Sequence, residues 1–311
     1  MANKTYLVTG AAGFIGAAVA QRFIDQGHQV VTIDNLSTGY ENHIPEGVTF
    51  IKGDCFDAEI IGQLETFSFD AILHIAGQSS GEISFENPTY DLQTNTQSTL
   101  MLLDFAKKKG IKNFIYASTM SVYGDQMDKP ISEKETTRPK SFYGVGKLAS
   151  EDYLRIYADF GIRCTALRLF NVYGPGQNLV NMKQGMVSIF MAQALNDNKI
   201  LVKGDKNRFR DFVYIDDVVN SFALFAAKPT SAYACYNIAS GVKTTVENLV
   251  HQIVIAHPSP VDVRYEGSTP GDQFGIYGDA RFIADQVGWK AQIDFKTGMK
   301  RMYDWAKNEL D

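Results

Sequence analysis

The run Ser141-Phe142-Tyr143-Gly144-Val145-Gly146-Lys147 sets a phenol and an ammonium four residues apart. On a helix that spacing puts both side chains on one face, where they can converge on one substrate. A free tyrosine, with a pKa of about 10, is a poor base near neutrality, and a neighbouring ammonium stabilises its phenolate. Such a pair suits proton exchange with a secondary alcohol during hydride transfer. Spacing alone is weak ground, because a chain with 15 tyrosines in 311 residues holds about one Tyr-x-x-x-Lys match by chance. Tyr303 and Lys307 supply a second match. The elements that carry each pair must decide between them.

Thr5-Tyr6-Leu7-Val8 reads as a short buried strand. It runs into Thr9-Gly10-Ala11-Ala12-Gly13-Phe14-Ile15-Gly16 and then a helical pattern to about Gln26. Glycines at 10, 13 and 16 let the backbone approach a pyrophosphate that a helix N-terminus then stabilises. A second strand, His28 to Ile33, ends in Asp34-Asn35, where a carboxylate can accept from an adenosine ribose and repel a 2′-phosphate. That favours NAD over NADP. Further βα units follow. Val48–Ile51 precedes Gly53-Asp54-Cys55, Ala71–Ile75 precedes Ala76-Gly77-Gln78-Ser79, and Asn113–Ala117 precedes Ser118-Thr119-Met120-Ser121.

This alternation predicts an α/β fold with a doubly wound parallel sheet of Rossmann type. Polar residues ending the strands should ring one cleft beyond their carboxyl edge, with Ser118 and Thr119 on its rim. Thr119 is the hydroxyl best placed for a substrate oxygen. Asp125 to Lys140 reads as a loop. A helix from about Phe142 to Phe160 carries Tyr143 and Lys147 and stops at Gly161, and the strand Cys164–Phe170 delivers Asn171.

From Gly174-Pro175-Gly176 the periodicity becomes less regular. We expect a nucleotide-binding domain over 1–175, with segments near 213–240 returning to it, and a smaller mixed α/β substrate domain over 176–311. In the latter, Met186–Asn196 reads as a helix and Ile200–Lys203 as a strand. Arg208 and Arg210 flank Phe209, an arrangement suited to holding phosphate, and Asp216 is placed to cap a helix running to about Ala227.

Composition narrows the function. With 45% hydrophobic and 21% charged residues and a net charge of −5, the chain reads as an ordinary globular protein, and nucleic acid is not the expected partner. Lys107-Lys108-Lys109 is most simply a solvated helix end. Cys55, Cys164 and Cys235 are odd in number and far apart, which fits a reduced compartment. The five histidines have no ligand spacing, so no metal is expected. Met1 to Tyr6 leads directly into a strand, and no apolar run reaches membrane-spanning length. A cytoplasmic protein without a membrane segment is the expectation.

Taken in order, these segments resemble the extended short-chain dehydrogenase/reductase superfamily. The nearest likeness is to the NAD-dependent epimerase/dehydratase family and its UDP-glucose 4-epimerase-like nucleotide-sugar epimerases. The likeness rests on Thr9 to Gly16, Asp34-Asn35, Gly53-Asp54, His74-Ile75-Ala76-Gly77, Ser121-Val122-Tyr123-Gly124 and Tyr143 to Lys147. It continues through Leu169 to Pro175, Arg210 to Val218 and Pro270-Gly271-Asp272. It singles out Tyr143 and Lys147 over Tyr303 and Lys307.

Position by position, the resemblance implies NAD bound by Gly10, Gly13, Phe14, Ile15 and Gly16 at the pyrophosphate and by Asp34 and Asn35 at the ribose. Asp54 and Cys55 would flank adenine, and Ala76, Gly77, Ser79 and Asn95 would lie along the far side. Thr119, Tyr143 and Lys147 would be the catalytic set, with Lys147 also on the nicotinamide ribose. The partner implied is a nucleotide-diphosphate sugar, UDP- first, with dTDP- and GDP- as alternatives. It would be held by Ser118, Thr119, Asn171, Leu201, Lys203, Arg208, Arg210, Asp272 and Ile276. Relatives of this kind pair as homodimers through helices corresponding to about 91–109 and 142–160.

Several positions depart from the family pattern. Dehydratases carry Asp-Glu after the catalytic threonine, whereas this chain has Met120-Ser121, which speaks against dehydration. Thr269 replaces the usual arginine, with Arg208 or Arg281 as substitutes. Lys203 stands at a base-side aromatic position, and Gly146 replaces the usual Ser or Thr. Ile276, at the position that gates C2 substituents, is intermediate in size. The reading is a 4-epimerase working through a transient 4-keto sugar. A 4-keto-6-deoxyhexose reductase using NAD(P)H is the alternative. A cofactor-sensing binding protein is the third reading, though such relatives tend to lose Tyr or Lys.

Overall fold

Runs of β-branched and aromatic residues bounded by glycine and asparagine form strands buried on both faces, as parallel strands require. The computed structural model describes residues 3–182, 184–229, 232–267 and 274–310. Its largest sheet contains β1 (Thr5–Thr9), β2 (Gln29–Asp34), β3 (Thr49–Lys52), β4 (Ala71–His74), β5 (Asn113–Thr119), β6 (Arg163–Leu169) and the strand Tyr233–Ile238. The spatial order is Tyr233–Ile238, β6, β5, β4, β1, β2, β3. β1 pairs in parallel with both β2 and β4, and β2–β3 and β4–β5 are parallel too. The chain therefore winds one way from β1 to β3 and the other way from β4 onward. That reversal is the doubly wound topology expected, and it opens a crevice beyond the ends of β1 and β4.

The helices that follow these strands are α1 (Phe14–Asp25), α2 (Ala58–Gln63), α3 (Gly81–Glu86), α4 (Pro88–Leu92), α5 (Ser98–Lys109) and α6 (Phe142–Ala158). Between α4 and α5 the chain stays helical but widens to a π turn over Gln93–Gln97. Such turns insert one residue and re-aim the side chains around them. Ser141 caps α6 by accepting from the Gly144 amide at 3.1 Å. Leu7, Ile33, Ile72, Leu102, Phe114 and Leu154 form part of a continuous apolar core around the sheet.

The chain divides into two compact units. The first comprises 1–122, 139–168 and 219–236, and the second 123–138, 169–218 and 237–311. Residues 123–138 and 169–175 thus group with the second unit, not with the first 175 residues as the sequence pattern suggested. Within the second unit, Asn171–Tyr173 pairs in parallel with Phe212–Tyr214, Phe209–Arg210 is antiparallel to Thr244–Thr245, and Lys199–Lys203 is parallel to Asp262–Glu266. Helices Met186–Asp197, Val246–Ala256 and Phe295–Leu310 accompany these short sheets. Tyr173 packs edge-on against Phe212, Tyr214 and Phe295. Asp216 is not the cap expected. It lies inside the first turn of the helix Ile215–Ala227, where a negative charge still complements the helix dipole.

Candidate active site

The loop after β1 is shaped by close approach. Gly10 holds φ at +79°, a left-handed value costly for other residues, and a Cβ there would stand 3.0 Å from the Ala76 backbone. A Cβ on Gly16 would meet the Gly10 carbonyl at 2.0 Å, so no side chain fits where α1 leaves the loop. Gly13 precedes α1 with no side-chain cap and no acidic residue in the first turn. The leading amides, including those of Phe14 and Ile15, are therefore left for an outside acceptor.

Thr9 and His74 tie the ends of β1 and β4 together. The Thr9 hydroxyl accepts from the Ile75 and Ala76 amides at 3.0 and 3.1 Å and lies 2.8 Å from His74 Nδ1. With two amides donating to it, its own proton goes to Nδ1. The imidazole is then neutral, with Nε2–H facing Ser98 Oγ at 3.2 Å. Burial pushes His74 down to about 3, consistent with a structural, uncharged histidine.

At the end of β2, Asp34 accepts from the Ala12 amide at 2.9 Å and the Leu36 amide at 2.8 Å, which fixes its charge beside the glycine loop. Asn35 donates to Asp54 at 2.5 Å and to the Tyr90 hydroxyl at 3.1 Å. Cys55 belongs to the apolar core, and burial pushes its thiol far up. The thiol is thus an inert packing group. Ala76 and Gly77 follow β4, and Ser79 is exposed. Asn95, on the π turn, is fully buried and donates to the Gln78 carbonyl at 3.0 Å and to Asp91 at 3.2 Å. Its Oδ1 has no hydrogen-bond partner. An unsatisfied buried acceptor in such a place calls for a ligand donor.

Tyr143 and Lys147 both stand on α6, as the spacing required. Lys147, 3% exposed, donates to the Ala117 carbonyl at 2.9 Å. Its Nζ is 4.7 Å from the Tyr116 ring centre and 5.9 Å from that of Tyr143. Burial pulls Lys147 down to about 8, with Asp91 opposing. Tyr143 keeps a partly open face, yet burial pushes its phenol up to about 12, against a hydrogen bond with Thr119 and with help from Asp91. The lowering of the Tyr143 phenol expected from a neighbouring Lys147 is therefore outweighed by burial. Desolvation wins over an ammonium that sits nearer Tyr116. Thr119 also accepts from the Ser121 amide at 3.1 Å, so its hydroxyl is held at the rim next to Tyr143.

Ser118 is not at that rim. It is 2% exposed and donates to Glu151 at 2.5 Å. Glu151 in turn takes Arg168 Nη2 at 2.6 Å and Nε at 2.9 Å. β5 runs alongside α6, so Thr119 meets Tyr143 at the helix start whereas Ser118 meets Glu151 two turns further in. The second Tyr-x-x-x-Lys pair lies on the helix Phe295–Leu310, where Tyr303 is buried and bonds His257 Nδ1 at 2.9 Å while Lys307 is exposed.

In the second unit, Arg208 and Arg210 are both buried, at 8% and 5% exposure. Arg208 donates to the Lys203 carbonyl at 2.5 Å and the Asp205 carbonyl at 3.2 Å. Arg210 donates to the Phe209 carbonyl at 2.8 Å, and burial lowers it to about 10. Asn171 donates Nδ2 to the Asp211 carbonyl at 3.2 Å. Leu201 is half-buried on its strand, the Lys203 side chain is exposed, and Ile276 is buried. Arg281 is exposed and occupied by Asp279 at 2.5 Å. Asp272 and Thr269 lie outside the described residues.

Sequence reasoning passed over Asp91, Gln78 and the Glu151–Arg168 pair. Asp91 and Asn95 are four residues apart on continuous helix, a spacing that brings side chains together, and that was the available signal. The glycine loop, the uncapped α1 terminus, the fixed Asp34 charge and the orphaned Asn95 Oδ1 together fit a dinucleotide. With Tyr143, Thr119 and Lys147 beside it, the first unit has the makings of a hydride-transfer site.

The comparisons agree with that class. A model of the NAD dependent epimerase/dehydratase family matches residues 6–239. A UDP-glucose 4-epimerase of Mycolicibacterium smegmatis is 32% identical over 310 residues, covering 97% of this chain and 98% of the relative. A solved UDP-glucose 4-epimerase from Thermotoga maritima, with UDP-glucose, superposes with a TM-score of 0.93 at 32% identity over 99% of this chain and 100% of that one. A UDP-N-acetylglucosamine 4-epimerase from Methanobrevibacter ruminantium, in complex with UDP-N-acetylmuramic acid, gives 0.93 at 30% identity, again over 99% and 100%. The chain belongs to the NAD-dependent epimerase/dehydratase family, and NAD is its cofactor. Among the described residues, no helix is long and apolar enough to cross a membrane.

Proposed function

We propose that this enzyme inverts C4 of a nucleotide-diphosphate sugar, a UDP-hexose first, through a transient 4-keto sugar. The observation that carries the reading is the grouping of Tyr143, Thr119 and Lys147 on one helix start and one strand end, with Met120-Ser121 and not an Asp-Glu pair directly after Thr119. Bound NAD supplies the hydride acceptor and donor. Tyr143, as phenolate, takes the proton of the C4 hydroxyl and later returns it. Thr119 holds the C4 oxygen in place, and the Lys147 ammonium stabilises the phenolate. Gly10, Gly13, Phe14, Ile15, Asp34, Asn35 and Asn95 hold the cofactor. The residues Asn171, Arg208, Arg210, Leu201, Lys203 and Ile276 serve the nucleotide sugar, with two buried guanidiniums as the phosphate-binding groups. Inversion needs the keto sugar to turn over about its diphosphate linkage before Tyr143 returns the proton.

The test is Tyr143→Phe, assayed by proton NMR with UDP-glucose and UDP-N-acetylglucosamine. Wild type should interconvert at least one C4 epimer pair. The variant should lose about 100-fold or more of that rate while still binding the nucleotide sugar. Retention of more than a few per cent of turnover would sink the assignment of Tyr143.

A further inference from the structure

Asp91 lies outside the set of residues just assigned, yet it is 1% exposed and packs where α4 meets α6. Its Oδ1 accepts from Gln78 Nε2 at 2.8 Å and Asn95 Nδ2 at 3.2 Å. Its Oδ2 has no hydrogen-bond partner. That second oxygen faces Gly146, the residue before Lys147, and a Cβ built on Gly146 would lie 3.5 Å from it. The Asn95 amide that Asp91 holds crowds the same space as the lysine: a Cβ on Gly77 would meet Asn95 Oδ1 at 2.4 Å and Lys147 Nζ at 3.4 Å. A buried carboxylate with one oxygen unsolvated is costly unless a nearby positive charge compensates it. Lys147 supplies that charge at longer range, working against the burial that pushes the Asp91 carboxyl above its ordinary value.

We propose that Asp91 is a positioning residue for the Tyr143–Lys147 pair. Its carboxylate fixes the Asn95 amide beside Lys147 and supplies the buried negative charge that balances the lysine ammonium. Gly146 gives the arrangement its strength, because a hydroxyl-bearing residue there would donate to Oδ2 and spread the charge. The negative charge favours the protonated form of both Lys147 and Tyr143. Few other charges bear on Asp91. On α3, Glu82 and Glu86 are exposed and screened by solvent and salt. On α6, Tyr143 and Lys147 feel its charge, while Glu151 is bound to Arg168. The π turn carries no ionisable residue, and Tyr90 on α4 is engaged by Asn35.

Asp91→Asn separates charge from shape, since the amide oxygen still accepts from Gln78 and Asn95. With 13C-labelled lysine, the Lys147 resonance is identified by its absence in Lys147→Arg, and its titration is followed in the protein as purified. In Asp91→Asn its midpoint should fall by on the order of one pH unit. Gly146→Ser, which sets a donor beside Oδ2, should lower it by less. The pH profile of turnover should move to the acid side as a whole, because the proton affinities of Tyr143 and Lys147 fall together. A midpoint that stays in place or rises in Asp91→Asn overturns the proposal, and a profile lowered in height but not shifted reveals a merely structural aspartate. The proposal rests on Tyr143 and Lys147 being the reacting pair. The lysine titration needs no substrate, so it can fail independently of the Tyr143→Phe test.

Discussion

α6 borders two buried carboxylates that the fold treats in opposite ways. Glu151 is saturated: Arg168 reaches both oxygens, at 2.6 Å from Nη2 and 2.9 Å from Nε, and Ser118 adds a third donor. Asp91 has both its donors on one oxygen and none on the other. The saturated network fixes α6 against β5 and β6, and its negative charge is matched directly by the Arg168 guanidinium. The unsaturated one keeps its charge available to the neighbouring Tyr143 and Lys147. Distance along one helix thus separates a group that holds shape from a group that sets charge.

The sharpest way to break this contrast is Arg168→Leu. Removing one partner of a buried pair leaves an uncompensated charge and typically costs about 3–5 kcal/mol, read from urea unfolding. Adding Glu151→Leu should recover much of the loss. A cost below about 1 kcal/mol would mean that Glu151 reaches water, and the distinction from Asp91 would collapse.

Asp211 is the second unit's version of the saturated case. Its Oδ1 accepts from Ser240 N and Oγ at 2.8 and 2.6 Å, and its Oδ2 from Gly241 N and Gly278 N at 2.9 and 3.1 Å. Asp211→Asn points an N–H toward amides that need an acceptor, a change worth on the order of 1–3 kcal/mol. Even with these bonds, burial holds the carboxyl up to about 6. A native pKa above the ordinary value means the folded state binds the proton more tightly. Its stabilisation is then complete below about pH 4 and diminishes as pH rises through about 6. The stability gap between wild type and Asp211→Asn should narrow from about pH 4.5 to about pH 7.5. A widening gap would show that four hydrogen bonds outweigh burial here.

The parts of the molecule written in local pattern were legible beforehand. The strand–glycine–helix opening, the doubly wound order and the placement of Tyr143 and Lys147 on α6 all follow from residues close in sequence. Ser118 was misplaced because residue types at a strand end do not say how far the strand runs beneath its neighbouring helix. Asp91 was missed for a related reason. Its importance depends on the π turn at Gln93–Gln97 and on the bare backbone of Gly146, and neither belongs to a motif that names Asp91. The buried state of Arg208 and Arg210 likewise comes from tertiary packing, which can turn an ordinary surface residue type inward.

Gly146 gives the smallest and most discriminating effect. Alanine in a helix interior is favoured over glycine by about 1 kcal/mol. At this position the new methyl would sit 3.1 Å from Thr96 Oγ1 and 3.4 Å from Asn95 Cβ, contacts tight enough to offset most of that gain. Gly146→Ala should therefore change stability by less than about 1 kcal/mol in either direction. A methyl offers Asp91 no donor, so the Lys147 titration should stay where wild type has it, in contrast to Gly146→Ser. Should alanine move the titration as far as serine does, the space beside Oδ2, rather than the hydrogen bond offered there, would be what governs the charge on Asp91.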